Sequence, residues 1–512
     1  MGVVVETRGG RLEGVQEEGL QSFRGVPFAK PPVGALRFAA PQPPEPWSGV
    51  RAARDFGPSA PQRVSEIEAR FGLRVGKQSE DCLTLNITTP ASDGARRPVM
   101  VWIHGGAFTI GSSSQKMYDL RPLARRGGAV MVGINYRLGA LGFLDPAALG
   151  GETLGATANA GILDQVAALA WVRDNIEGFG GDPGNVTLFG ESAGGMSVAT
   201  LLGMPAARGL FHRAIAQSGA AHRVNRAEEA AEVATLWSRE VGLEPGSAKW
   251  LRELPLDAIL RAQSRCVTVF ERESARRAFC PSVDGRTLPE HPFEAIRGGL
   301  SRDIPVVVGT TRDEWKLFGV MDPRARELDE AGLLKRVEAR LGGPEPAGRA
   351  RRLVEAYRRA REGRASTDPP ELFFAIETDR VFRIPAVRLA EAQSAHRAHP
   401  PRTWAYLMCW ESPLMGGALG ACHGIDLPFV FGSVRRRGMQ RYAGGGPDAE
   451  RLSDRMMDAW LAFARSGDPN HPDLPAWEPY DAARRATMIF DREPELGFAP
   501  FDAERRAWAG IP

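Results

Sequence analysis

The sequence predicts an α/β fold with a large, mostly parallel central sheet and helices on both faces. Three observations carry this. Apolar, β-branched runs recur from one end of the 512 residues to the other. Stretches with apolar residues at helical spacing lie between several of them, and no internal repeat or low-complexity linker divides the chain.

The strand-like runs are Leu83 to Ile87, Val99 to Ile103, Val130 to Ile134, Val186 to Phe189, Ala214 to Ala216, Ile304 to Val308, Trp404 to Met408 and Thr487 to Phe490. Met1-Gly-Val-Val-Val-Glu-Thr-Arg reads as a further strand at the start. Helical spacing marks Asn159 to Ile176, Leu333 to Leu341 and Arg351 to Ala360. The stretches from about 221 to 300 and from about 320 to 390 are more charged and more helical. They are expected as helical additions around the sheet of one domain spanning residues 1–512.

A hydrophobic content of 43% lets a chain of this length bury a large core. The 65 basic and 62 acidic side chains nearly balance at +3 and form no basic block interleaved with aromatics, so nucleic acid is not an implied partner. Arg435-Arg436-Arg437 reads as a solvated turn. No run is long enough to span a bilayer, and the first residues lack the features of a signal peptide. The five cysteines, at 82, 266, 280, 409 and 422, contain no Cys-x-x-Cys pair. Such sparse cysteine usage fits a reducing cytoplasm. Cys266 and Cys280 read as thiols rather than a loop-closing pair, and Cys422 as a small buried residue. No metal site or organic cofactor is implied, and a monomer is the expected state.

The chemistry concentrates in Val186-Thr-Leu-Phe-Gly190-Glu-Ser192-Ala-Gly194-Gly195. In a glycine-rich chain the bare Gly-x-Ser-x-Gly pattern arises roughly 0.3 times by chance, so its context decides. An apolar strand precedes it and Ser197-Val-Ala-Thr-Leu-Leu continues as a helix, the strand-to-helix elbow that lifts a serine above a sheet. The N–H of Ala193 then sits at a helix N-terminus, where partial positive charge stabilises an oxyanion.

A serine hydroxyl needs a base, and an imidazole base needs a carboxylate. Reacting groups gather beyond the carboxyl ends of the strands, in the chain order serine, acid, histidine. His212, His396 and His399 precede strands, and His471 lies in a polar turn. His423 follows the Trp404 strand through a glycine-rich stretch, which selects it as base. The Ile304 strand ends in Asp313 and Glu314, and spacing leaves both open as the acid. His104-Gly105-Gly106-Ala107 ends another strand and resembles the donor turn of lipases and esterases, with His104 a structural member of that turn.

Together these residues resemble the type-B carboxylesterase family of the α/β-hydrolase fold. The resemblance runs through Arg24-Gly-Val-Pro-Phe-Ala-Lys-Pro-Pro-Val-Gly, Glu80-Asp-Cys-Leu-Thr-Leu-Asn, Asn135-Tyr-Arg-Leu-Gly-Ala-Leu-Gly-Phe, the long segment from Phe179 to Gly194, and Gly424-Ile-Asp-Leu-Pro-Phe-Val-Phe-Gly. It implies Ser192 as nucleophile, Glu314 as acid, His423 as base, and Gly106, Ala107 and Ala193 as oxyanion donors. It also implies that Glu191 is a buried carboxylate near the site, although composition alone reads it as solvent-facing.

Three departures refine the expectation. Cys82 lacks the upstream cysteine that secreted relatives pair with it, because Gly57-Pro-Ser-Ala60-Pro-Gln stands there. No Trp lies between Ala60 and Cys82, so the choline-stacking site of cholinesterases is not evident. Trp315 follows Glu314 where many members have Gly, whereas Ala107 in place of a third glycine matches bacterial members. The expectation is a cytoplasmic, bacterial-type serine carboxylesterase acting on small-molecule esters through an acyl-enzyme. An amidase or carbamate hydrolase with the same residues, and a non-catalytic binding module of the same fold, are the alternatives. Phe108, Trp315, Phe318 and Trp410 are candidates to line the pocket.

Overall fold

The computed structural model describes residues 2–64, 75–150, 157–243, 251–273, 276–320, 322–341, 344–396 and 402–511. Its strands, in chain order, are β1 (Gly2–Thr7), β2 (Gly10–Glu17), β3 (Leu20–Pro27), β4 (Val50–Ala52), β5 (Thr84–Thr89), β6 (Arg97–Ile103) and β7 (Val130–Ile134). They continue with β8 (Gly181–Glu191), β9 (Arg213–Gln217), β10 (Val306–Thr311), β11 (Thr403–Met408), β12 (Ala486–Phe490) and β13 (Glu495–Phe498). The sheet order is β1-β2-β3-β5-β7-β6-β8-β9-β10-β11-β12-β13, with β4 paired to β2. From β7 to β12 every neighbouring pair is parallel. Antiparallel strands extend both edges.

Each strand expected from the sequence is present. The structure adds β2, β3, β4 and β13, which carry no continuous apolar run: β2, Gly-Arg-Leu-Glu-Gly-Val-Gln-Glu, is buried only in part, and β4 and β13 bury no residue fully. The central strands differ because both faces are covered. Along β6, Val99, Val101 and Ile103 point into one core while Met100 and Trp102 point into the other. The first core is roofed by helices Ala160–Asn175 and Ala193–Leu202, the second by Pro447–Ser466.

The two stretches expected as helical additions contain helices Ala227–Glu240, Leu256–Val267 and Pro292–Arg297, then Glu330–Leu341, Pro346–Arg361, Pro369–Thr378 and Ile384–Ser394. Several of the later ones share a small core of their own around Leu333, Leu353, Tyr357 and Phe373. Among the described residues no helix is long and apolar enough to cross a membrane. The five cysteines are reduced.

One ion pair is wholly inside. Arg137 grips Asp164 through Nε at 2.8 Å and Nη2 at 2.7 Å, its backbone N–H donates to the same carboxylate, and Nη1 donates to the Ala39 carbonyl. The side chains are 3% and 0% exposed, so removing one partner strands a buried charge. Asp164→Ala is expected to lose about 3–5 kcal/mol of stability, read from the midpoint of denaturant unfolding.

Candidate active site

The carboxyl ends of β6, β8, β10 and β11 lie side by side because those strands are parallel. The loops that leave them carry the candidate residues.

At the end of β8 the chain reverses into helix Ala193–Leu202, with Ser192 at φ 58°, ψ −123°. A non-glycine residue held there stores strain of about 1–3 kcal/mol, sustained by the surrounding structure. Its N–H donates to the Gln217 carbonyl at 2.9 Å, and its carbonyl accepts from Met196 at 2.8 Å. The turn is so tight that a Cβ on Gly194 would lie 2.0 Å from the Ile103 carbonyl oxygen. A Cβ on Gly190 would lie 2.6 Å from the Gly194 backbone. Glycine is therefore required at both positions of the motif. Ser192 is half-buried and keeps access to the cleft.

The turn after β6 packs against this elbow, since a Cβ on Gly105 would lie 3.1 Å from the Ser192 Cβ. Gly106, Ala107 and Phe108 all have positive φ, at 111°, 56° and 61°, which folds the loop back on itself. Among the described residues the N–H groups of Gly106, Ala107 and Ala193 donate no hydrogen bond. These three open donors lie on the two turns that pack together at the serine. His104 is a pillar of this turn: its ring stacks on Tyr136 at 4.5 Å and its Nδ1 lies 2.8 Å from the Gly105 carbonyl. Burial pushes its pKa down to about 4, so it is neutral and committed to the backbone.

Glu314 and His423 meet across two loops. Nδ1 of His423 lies 2.5 Å from Glu314 Oε2, and Glu314 Oε1 accepts from the Thr311 N–H at 2.8 Å. Glu314 is fully buried and His423 nearly so. Asp313, the alternative acid, faces elsewhere. Its Oδ2 accepts from the Ala421 N–H at 3.0 Å and its N–H donates to the Ala421 carbonyl at 2.9 Å, while Arg312 pairs with its carboxylate. Asp313 therefore pins the loop that carries His423.

The other ring nitrogen, Nε2, lies 3.1 Å from Glu191 Oε1 but out of line for a hydrogen bond. Ser192 Oγ makes no hydrogen bond among the described residues. Glu191 is buried, as is Asp426, which accepts from Gln217 Nε2 at 3.0 Å and from the Tyr406 hydroxyl at 2.8 Å. Phe318 and Phe382 pack on the imidazole, at 5.2 Å and 4.7 Å, and Trp315 packs on Phe318 at 4.8 Å. Phe108 and Trp410 are core instead: Phe108 packs on Phe143, and Trp410 packs on Phe429 and donates to the Ala443 carbonyl. His212 accepts from the Val186 N–H, His396 approaches the Ile296 carbonyl, and His399 lies outside the described residues. Burial pushes the Cys422 thiol up to about 12, which leaves no thiolate beside His423. A separate cavity of about 860 Å³ opens behind Asp313, and its lining includes neither Ser192 nor His423.

Residues 2–508 match the model of the carboxylesterase family. The chain belongs to that family. It is 39% identical over 508 residues to para-nitrobenzyl esterase of Bacillus subtilis (strain 168), covering 98% of this chain and 97% of the relative. It is 38% identical to phenmedipham hydrolase of Pseudarthrobacter oxydans, over 96% and 95% of the two chains. The crystal structure of a Geobacillus stearothermophilus carboxylesterase superposes with a TM-score of 0.87 at 41% identity, covering 99% of both chains. The protein is a carboxylic-ester hydrolase of the α/β-hydrolase fold.

In this carboxylesterase the imidazole sits among three buried carboxyl groups. Burial opposes charge on His423, but Glu191 and Glu314 outweigh it and raise its pKa. Burial raises Glu191, against the pull of His423. The two groups titrate as a unit, with protonation of the ring favoured while the carboxylates are ionised. Sequence reasoning missed Asp426 and Phe382. Asp426 lies three residues after His423 in a motif already singled out, whereas nothing in the sequence brings Phe382 to the ring.

The elbow contact gives a direct test. Gly194→Ala drives a methyl into the Ile103 carbonyl and displaces Ser192. Ester turnover is expected to fall at least about a hundredfold, with far-ultraviolet circular dichroism largely retained.

Proposed function

We propose that this carboxylesterase is a serine esterase working through an acyl-enzyme, with Ser192, His423 and Glu314 as its triad. The observation that carries the reading is the 2.5 Å contact of His423 Nδ1 with buried Glu314, on loops that flank the strained Ser192 elbow. Ser192 Oγ attacks the ester carbonyl as His423 Nε2 takes its proton, forming the C–O bond and moving the carbonyl electron pair onto oxygen. The N–H groups of Gly106, Ala107 and Ala193 receive that oxyanion, each such donor contributing about 3 kcal/mol of barrier lowering. Collapse breaks the bond to the alcohol, which leaves with the proton held on Nε2. Water then repeats the sequence, releasing the acid and restoring Ser192.

Attack requires Oγ to come within reach of Nε2, a tightening that catalytic hydrogen bonds commonly undergo when substrate binds. Glu191 raises the proton affinity of the base from the Nε2 side, and Glu314 fixes its tautomer by accepting from Nδ1. We read the whole chain as one domain, with the helical stretches near 221–300 and 320–390 framing the cleft. Reduced cysteines support a cytoplasmic location.

Ser192→Ala is expected to lower kcat on para-nitrophenyl esters by at least about a thousandfold while leaving the fold intact. Retention of wild-type turnover excludes Ser192 as nucleophile. The pH profile gives a second test. The base must be neutral, and flanking carboxylates raise its pKa, so the acid limb of kcat/KM should lie above the ordinary imidazole value of 6.5. Glu191→Gln removes one of those carboxylates and should move the limb to lower pH. A shift to higher pH, or none, contradicts the role given to Glu191.

A further inference from the structure

The turn that offers the Gly106 and Ala107 N–H groups is closed from behind by Gly111. The Gly106 carbonyl accepts from the N–H groups of Thr109 and Ile110 at 3.0 Å each, and a Cβ on Gly106 would lie 2.1 Å from the Ile110 carbonyl oxygen. Gly111 comes next, at φ 117°, where a Cβ would lie 2.5 Å from both the Gly105 carbonyl oxygen and His104 Nδ1. The far end of the loop therefore rests directly on its near end. Where Gly111 sits decides where Gly105 and Gly106 sit.

Gly111 is buried, so its backbone N–H and carbonyl both need partners. Among the described residues one side chain serves both. Gln62 Oε1 accepts from the Gly111 N–H at 2.7 Å, and Gln62 Nε2 donates to the Gly111 carbonyl at 2.9 Å. The second hydrogen on Nε2 goes to the Ala60 carbonyl at 2.9 Å. Gln62 is itself buried, and its amide has no donor to spare.

The segment that carries Gln62 is fastened independently of the turn. The Gln62 N–H donates to Gln78 Oε1 at 2.8 Å, the Ser59 N–H donates to the Lys77 carbonyl at 2.8 Å, and the Ser59 carbonyl accepts from the Ser79 N–H at 3.0 Å. Asn135, just after β7, links segment and turn a second time. Its Nδ2 donates to the Pro58 carbonyl at 3.2 Å, and its Oδ1 accepts from the Ser113 N–H at 3.0 Å.

We propose that Gln62 is a positioning residue of the oxyanion turn, its amide fixing Gly111 and, through Gly111, the aim of the Gly106 and Ala107 N–H groups. This rests on the reading of Ser192 as nucleophile and of those groups as oxyanion donors. A methionine at position 62 leaves both Gly111 groups and the Ala60 carbonyl buried without these partners. A glutamate keeps an acceptor for the Gly111 N–H but sets an oxygen against two carbonyls. In either case the loop relaxes to recover hydrogen bonds, and the donors move off the oxyanion. Substrate in its ground state, which carries no oxyanion, is little affected.

For Gln62→Met and Gln62→Glu, kcat on para-nitrophenyl butyrate is expected to fall at least about tenfold while KM changes less than about threefold. An alkyl trifluoromethyl ketone is the second probe. Ser192 Oγ adds to its carbonyl carbon, the carbonyl electron pair moves onto oxygen and the serine proton passes to His423 Nε2, so its binding reads the oxyanion donors without turnover. Its affinity should weaken in step with kcat, whereas the matched methyl ketone, which resists addition, should bind the variants as it binds the wild type. Gln78→Ala loosens only the outer attachment and should leave kcat and trifluoromethyl ketone affinity within about twofold. A folded Gln62 variant that keeps both at the wild-type level overturns the proposal. So does a loss confined to KM or to the midpoint of denaturant unfolding, or an equal loss in Gln78→Ala. A wild type that binds the trifluoromethyl ketone no better than Ser192→Ala points instead to a wrong nucleophile.

Discussion

Backbone against backbone, at the point where helix Ala193–Leu202 leaves β8, is the contact on which the rest depends. Gly190, Gly194 and Gly195 bring the helix start onto the carbonyls of Ile103 and Gln217 with no space for a side chain. That closeness fixes Ser192 in its strained conformation and presses the Gly105–Gly106 turn against it. The strain is sustained because β8 is central, parallel to β6 on one side and β9 on the other, with both faces of the sheet buried. A sheet with one face in water could not over-determine the turn so strongly.

Electrostatics then builds outward from this rigid point. Glu191, Glu314 and Asp426 are all buried near one imidazole, and each is handled differently. Glu314 is hydrogen-bonded to His423, Asp426 is satisfied by Gln217 and Tyr406, and Glu191 approaches Nε2 without a hydrogen bond. The arrangement stabilises positive charge on the ring.

The central strands were legible because they are continuous apolar runs, and helix Ala160–Asn175 because its apolar residues repeat at helical spacing. β2, β3 and β13 were not, since partly exposed strands that mix glycine and charge with apolar residues lack that signal. Ser192 and His423 could be reached from motif and strand-end logic. The choice between Asp313 and Glu314 needed the family resemblance, because adjacent carboxylates differ only in which loop each faces. Phe382 was out of reach: the short helix Asp379–Arg383 that carries it meets the site only through tertiary packing.

The pair of hydrogen bonds between Asp313 and Ala421 has a consequence for the working cycle. Glu314 and His423 lie 109 residues apart in the chain, and their loops are held together by this clamp as well as by the Glu314–His423 contact. Tyr442 adds a second brace, donating to the His423 carbonyl at 2.9 Å. Neither brace involves the imidazole ring. The ring can thus gain and lose a proton while its backbone stays anchored, with no rebuilding of the loop.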